Sequence, residues 1–441
     1  MKLIETLKNI WKIEELKTRI ITTLGLLLVY RLGTEIVLPG IDPAGLQALQ
    51  NQTQDNGVLG LLNMFSGGAF ANASIFALGI MPYISASIVI QLLGMAVPYF
   101  QRMQREGESG RRKINQITRY LTVVILILQG TAYLTNLHMQ IQPEFFLMKG
   151  VLFTIYSVVI LAAGSMFVLW LGEKITDKGI GNGVSLLIMI GIIANLPQAF
   201  LGEFFSAGWL TFIIEIIVLF LVFAASILLV QGTRKVPVQY AKRVVGNKQF
   251  GGVRQYIPLK INAAGVMPII FAQALMLLPI SFVNYAESES LSGFAAAFSN
   301  LTGFWYNFTF FVLIVAFTYF YTAITVNPQQ MSEDMKKNGG FIPGVKPGRK
   351  TMEFLDTVMS RITLPGSIFL GFVAIMPAFA QMAGVTQGFA QFFGGTSLLI
   401  LVGVVLDTLQ QVESHLLNRH YDGLMKNGRI KGKNPGGPAA Y

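Results

Sequence analysis

Leu59-Gly-Leu-Leu-Asn-Met-Phe-Ser-Gly-Gly-Ala-Phe70 and, four residues on, Ser74-Ile-Phe-Ala-Leu-Gly-Ile-Met-Pro-Tyr-Ile-Ser-Ala-Ser-Ile-Val-Ile-Gln-Leu-Leu-Gly-Met-Ala-Val-Pro98 are both apolar, and they differ in length. A helix needs about 20 apolar residues to cross the hydrocarbon core. The second stretch has enough; the first, at twelve residues, does not. Gly67, Gly68 and Asn72 separate the two. A short apolar helix at membrane depth is tolerated only if protein buries it or it lines a cavity. A helix lying on the membrane surface fits the same twelve residues, and both readings stand. In the second stretch Ile84 and Ile88 are i, i+4 and share a helix face, while Pro82, Ser85, Ser87 and Gln91 break its apolar run.

Outward from this pair, ten stretches are long and apolar enough to span: near 20–38, 74–98, 116–137, 150–172, 184–202, 209–231, 261–284, 305–326, 363–385 and 395–412. The whole composition agrees. Of 441 residues 53% are hydrophobic and 12% charged, where a soluble domain carries about 25% charged. No series of short alternating strands points to a membrane barrel. The expected class is therefore all-α and polytopic. Ten spans divide into two halves of five, and an odd number per half makes the halves antiparallel across the membrane, as in inverted-repeat transport proteins.

The net charge of +11 is explained by where the charges sit. Thirty-one of the 33 Lys and Arg residues fall in one set of alternating segments between spans. The other set holds only Lys149, and Arg31 lies inside the first span. The positive-inside rule then places both termini in the cytoplasm, and no nucleic-acid partner is needed to account for the charge. Residues 1–19 mix Lys, Arg and Glu with apolar residues at helical spacing, which fits an amphipathic arm on the membrane or a solvated leader helix. Residues 413–441 form a cytoplasmic tail. Two inside loops are longer than topology requires. Residues 232–260 carry seven positive charges and no acid, and residues 327–362 are punctuated by Gly339-Gly340, Pro343-Gly344 and Pro347-Gly348. Both suit docking of a soluble partner.

Ionisable residues inside spans are functional candidates, and here they are few: Arg31, Glu35, Glu215 and Asp407. Ion-driven solute carriers usually hold more mid-membrane carboxylates. No cysteine, no histidine ligand spacing, no Walker loop, H-E-x-x-H or G-x-S-x-G motif is present, so an enzyme reading has no support and no cofactor is expected. Lys178-Gly-Ile-Gly-Asn-Gly-Val184 is a glycine-rich turn leading into a helix.

Longer runs carry a resemblance. Asn63-Met-Phe-Ser-Gly-Gly-Ala69 with Ala73 to Ile88, Glu106-Gly-Glu-Ser-Gly-Arg-Arg-Lys113, Ile180-Gly-Asn-Gly183, Tyr240-Ala-Lys-Arg243, Pro258-Leu-Lys-Ile-Asn262, Ala264-Gly-Val266 and Gly395-Thr-Ser-Leu-Leu-Ile400 resemble, in order and across the chain, the motifs of the bacterial SecY family of protein-export channels.

The resemblance implies a two-halved channel, residues 20–202 and 203–412, in the bacterial plasma membrane. Unfolded secretory chains would cross it, and apolar segments would leave sideways into lipid. It implies a plug helix at 59–70, including Leu61, Leu62, Met64, Phe65, Ser66, Gly67 and Gly68. It implies a pore ring of Ile84, Ile88, Ile188, Ile270 and Ile400, and a lateral gate with Ser87, Gln91 and Asn262. Arg243, Arg254, Lys346 and Arg349 would dock the motor ATPase SecA or the ribosome. SecE and SecG would be its small membrane subunits, and anionic lipid a further partner. One departure stands out: Val345-Lys-Pro-Gly348 replaces the family's Ile-Arg-Pro-Gly, keeping the charge and losing the planar donor fork. The residues taken without the resemblance also admit an ion-coupled solute transporter with inverted repeats.

Overall fold

The computed structural model describes residues 13–46, 49–50, 57–148, 150–240, 243–245, 248–250, 254–283 and 302–426. Most of the expected N-terminal arm, Lys149, residues 284–301 and the end of the tail lie outside these residues. In chain order the helices are α1 (Glu14–Thr34), α2 (Gly57–Phe65), α3 (Met81–Ala96), α4 (Pro98–Arg105), α5 (Glu108–Gln140), α6 (Val151–Lys178), α7 (Gly183–Ser206) and α8 (Trp209–Gln231), followed by α9 (Met267–Val283), α10 (Phe304–Thr325), α11 (Pro328–Lys337), α12 (Arg349–Met382), α13 (Gln387–Ala390) and α14 (Gly395–Lys426).

Each of the ten expected spans falls on one of these helices. Seven are long and apolar enough to cross a membrane by themselves: α5, α6, α7, α8, α10, α12 and α14. The other three fall short for separate reasons. Helix α1 carries Lys17, Arg19 and Arg31 within any 18 of its residues. Helix α9 is described for 17 residues, as far as Val283, where the described stretch stops. Helix α3 has 16, and the chain turns by 101° between it and α4. Pro98 causes that break: it has no N–H to donate, and it holds Val97 extended at φ −111°, ψ 120°.

The second span begins later than expected. Residues 66–80 are turns, and helix starts only at Met81. Backbone pairing with the first span takes the place of helix here: Ile75 N–H donates to Ile36 at 3.0 Å and Leu38 N–H to Ala73 at 2.8 Å. The short apolar helix also ends early, at Phe65, five residues short of the expected 70. Gly67 and Gly68 adopt φ +67° and +91°. Their N–H groups bond the carbonyls of Met64 (3.2 Å) and Asn63 (2.9 Å), the two bonds of a Schellman stop.

The all-α expectation needs one amendment. The basic loop between α8 and α9 forms strands β1 (Thr233–Tyr240), β2 (Arg243–Val245), β3 (Lys248–Phe250) and β4 (Arg254–Lys260), and the long loop after α10 adds β5 (Gly340–Phe341). β4, β1 and β5 make one antiparallel sheet, with Val236 opposite Ile257 and Gln239 opposite Phe341. Val236, Val238 and Leu259 bury against Met335, Ile342, Leu355 and Met359. The two long basic loops are thus one folded unit with its own small core. Net charge hid the Val236/Val238 alternation that pleats the strand.

Candidate functional site

Packing in lipid cannot draw on the hydrophobic effect between helices, so close fit decides where they meet. The tightest fit next to the short helix is glycine on glycine. A Cβ on Gly191 of α7 would lie 3.0 Å from both the Gly67 nitrogen and the Phe65 carbonyl oxygen. Both residues must be glycine for the turn after α2 to lie on α7, and Gly67 needs it also for its positive φ. A Gly191→Val variant should therefore lift α2 off α7. Because the chain has no cysteine, an added Met64→Cys reports this directly: its thiol should react several-fold faster with a water-soluble reagent in the valine variant, and equal rates would show that the contact does not hold α2.

Seated this way, α2 points Met64 and Phe65, 4% and 8% exposed, into one apolar cluster. The same cluster buries Ile188 of α7 and Ile400 of α14, with Ile84 of α3 and Ile270 of α9 packed against it. The fifth expected ring residue, Ile88, packs with Ile84 and Ile270 in an adjoining cluster. The five isoleucines come from four helices that are distant in sequence, yet they converge beneath the short helix. Leu62 turns the other way, against the cluster around Phe70 and Tyr133. The side chain of Leu61 lies outside the described residues. Ser66 closes the turn, its Oγ accepting from Phe70 N–H at 3.0 Å.

The expected gate residues lie partly together. Gln91 Nε2 donates to Ser87 Oγ at 3.1 Å, one helical turn away on α3. Its Oε1 accepts from the hydroxyl of Tyr321 on α10. Around that bond Ile88 packs with Ala264, Phe271 and Tyr321, so α3 closes against α9 and α10. Asn262 is buried two residues before Ala264, and its Oδ1 has no hydrogen-bond partner among the described residues. A buried, unpaired amide oxygen at a closed seam costs stability.

Tyr321 cannot be singled out by sequence, because it stands in the aromatic run Phe317–Tyr321 where any ring suits lipid. Glu203 escapes sequence reasoning too. It falls just past the expected end of its span, yet it is buried, accepting from Thr386 N–H at 2.9 Å and from the Thr386 hydroxyl. A cavity of about 410 Å³ opens beside α2, between α7 and the α12–α13 connection, lined in part by Asn63, Met64, Asn195, Gln198 and Gln391. Its amide-rich wall is wettable, in contrast to the isoleucines below.

The basic unit lies apart from this cluster. Arg254 stands on β4 opposite Gln239, and Arg243 on β2 opposite Phe250; their side chains fall outside the described residues. Lys346 and Arg349 are exposed where the second loop enters α12. Arg349 Nε contacts Glu353 at 3.3 Å and Lys350 Nζ contacts it at 3.0 Å. Lys350 first, by hydrogen bond, then Arg349 hold the Glu353 carboxyl below its ordinary pKa. Exposed pairs of this kind contribute little to stability, so Arg349 is free to exchange Glu353 for another carboxylate.

Comparison with known proteins fits this geometry. The SecY family model matches residues 74–409. The protein translocase subunit SecY of Streptomyces griseus is 43% identical, the alignment covering 94% of this chain and 98% of that protein. The Synechocystis protein of the same name is 42% identical, covering 96% and 97%. Among solved structures, a protein conducting channel aligns over 90% of this chain and 92% of its own at TM-score 0.57 and 16% identity. Sec61 from a canine ribosome–channel complex aligns over the same shares at TM-score 0.53 and 15% identity. At such identities the structural likeness bears on the fold alone.

Proposed function

The chain belongs to the SecY family, and from that premise we propose that it is the pore subunit of a protein translocase, passing unfolded polypeptides across the membrane and releasing apolar segments sideways into lipid. One observation carries the reading furthest. Isoleucines from α3, α7, α9 and α14 meet in a waist, and a helix too short to span sits against it. A solute carrier would need polar groups at that waist to hold its cargo. Aliphatic walls form no lasting bond with any side chain, so they suit a substrate of arbitrary sequence, and an empty aliphatic constriction blocks ions by dewetting. The ion-coupled transporter reading loses its support here.

In this reading α2 is the plug; for one family structure, the plug domain is described as stabilising the closed state and maintaining a membrane seal. Ile84, Ile88, Ile188, Ile270 and Ile400 are the pore ring. Ser87, Gln91 and Asn262, with Tyr321, form the lateral gate. Residues 20–202 and 203–412 are its two halves, and ten helices span a plasma membrane with both termini in the cytoplasm. SecE and SecG complete the complex. The β1–β4 unit with Lys346 and Arg349 receives SecA or the ribosome. The chain supplies a path and no chemistry, so the energy comes from the partner or the membrane potential.

Reconstitution with SecE, SecG, SecA and a signal-bearing precursor tests the function: ATP-dependent protection of the precursor is expected, and saturable uptake of a small solute by this chain alone would overturn the reading. Topology has its own check. Reporters fused after residues 55 and 290 should lie outside, and after 250 and 340 inside; a cytoplasmic reporter at 290 would break the ten-span arrangement.

A further inference from the structure

Arg31 is one of the few charges at membrane depth, and nothing in the pore or gate uses it. It lies on α1, three residues from the helix end. Its Nη1 donates to the carbonyl oxygen of Gly67, just past the end of the short helix α2, and to Thr34 Oγ1 at 3.3 Å. Its Nη2 stands 3.3 Å from Glu35 Oε1. The next residue back, Tyr30, is buried and donates its hydroxyl to the carbonyl of Ser66 at 3.1 Å. Glu35 is itself held from the far side by Asn72 Nδ2 at 3.4 Å, and Asn72 Oδ1 accepts from Gln50 at 3.1 Å.

These contacts have a common electrostatic origin. The last carbonyls of a helix have no partners within it and carry partial negative charge. The Schellman stop satisfies those of Asn63 and Met64. Just past the helix end, the Ser66 carbonyl accepts from Ala69 N–H at 3.4 Å as well as from Tyr30, and the Gly67 carbonyl meets Arg31. A guanidinium there is a C-terminal cap supplied by another helix, and Glu35 fixes its plane. Both tethers end on backbone oxygens, so they do not depend on which side chains the plug carries.

We infer that Arg31 is the positioning residue that holds the plug shut, capping α2 from α1 through the Gly67 carbonyl, with Tyr30 as the second tether. This rests on reading α2 as the plug. A charge-assisted hydrogen bond of a half-exposed arginine suits the task, being strong enough to bias the resting state and weak enough for an arriving polypeptide to break.

The test uses the assembled complex in planar bilayers, comparing the wild type, Arg31→Gln and Arg31→Lys, each with and without deletion of residues 61–65. Plug exposure is read in parallel by external thiol labelling of Met64→Cys. Arg31→Gln should raise both resting conductance and labelling roughly three- to tenfold, the effect of one lost hydrogen bond at a part-exposed site. Arg31→Lys should fall between, since it keeps the charge without the fork; it carries the test alone if Arg31→Gln does not assemble. In the deletion background neither change should add conductance. An Arg31→Gln leak that persists at full size without the plug, or unchanged labelling, overturns the inference. A deletion that raises no conductance overturns the plug reading and the inference with it; a leaky deletion beside a tight Arg31→Gln channel overturns the role of Arg31 alone.

Discussion

Deleting Leu61–Phe65 and replacing Ile400 with Asn in one chain should give a resting ion conductance well above the sum of the two single changes. The short helix α2, proposed as the plug, and isoleucines of the proposed waist share one packed cluster, in which Met64 and Phe65 lie with Ile188 and Ile400. Two barriers in series each limit the leak that loss of the other would allow, so either change alone raises conductance modestly and the pair raises it by more than the sum. Ile400 is 3% exposed. An asparagine there loses buried methyls and brings in an amide that needs partners, a cost of about 2–4 kcal/mol to the closed state. That is enough to shift a closed–open balance on the order of a hundredfold. Water drawn in by the amide also ends dewetting. The deletion should stop at Phe65, because the Phe70 carbonyl accepts from the buried Tyr133 hydroxyl at 2.8 Å, and removing it would leave that group unpaired. Single-channel recordings of the four proteins decide the matter. A double variant no leakier than the deletion alone would rule out two seals in series. The Ile400→Asn protein should also export precursors with weakened signal segments, since less work opens it.

The second large effect is expected at the basic unit. Reversing Arg243, Arg254, Lys346 and Arg349 to Glu changes the proposed docking surface by eight charges while leaving the apolar core under β1 untouched. Charges at an exposed rim act on association rate and salt dependence more than on fit. At physiological salt, affinity for SecA or the ribosome should fall about ten- to a hundredfold, and the remaining binding should lose most of its salt dependence. Insertion and resting conductance should stay normal. Undiminished affinity for both partners would mean that these charges only orient the loops to the cytoplasm. Among single changes Lys346→Arg should strengthen binding, because it restores a planar fork next to Arg349, which has to leave Glu353 before it can serve.

Much of this molecule is legible in spacing. The ten apolar stretches each fall on a helix, because in lipid only a helix satisfies every backbone group and nothing local competes with it. Arg31 and Glu35 pair as their i, i+4 spacing requires. The start of the second span is hidden because residues 74–80 are as apolar as the helix after them; their conformation is fixed by backbone bonds to Ile36 and Leu38, forty residues away in sequence. The strands in the basic loop are obscured by their charge. Convergence of the isoleucines cannot come from periodicity at all. Ile188 and Ile270 look like any lipid-facing isoleucine until α7 and α9 are placed against α3, and the motif resemblance alone pointed to them. Tyr321 and Glu203 give no local signal, since their partners, Gln91 and Thr386, are about two hundred residues distant.

Helix α7 runs across the boundary between the two proposed halves and is bonded at both ends to elements of the second. Just ahead of its first residue, the Gly181 N–H donates to Gln411 Oε1 of α14 at 2.8 Å; near its last, Glu203 holds Thr386. A door hung on two knuckles turns about the line between them, because points on that line do not move. If the two proposed halves part to pass a polypeptide, the rotation that spares both bonds has its axis along α7. The seam where Gln91 meets Tyr321 is made by α3 and α10 and not by α7, so such a rotation would part it while sparing both bonds. Breaking either knuckle would let the axis wander, and the loss would be felt as a gate that opens in more than one direction.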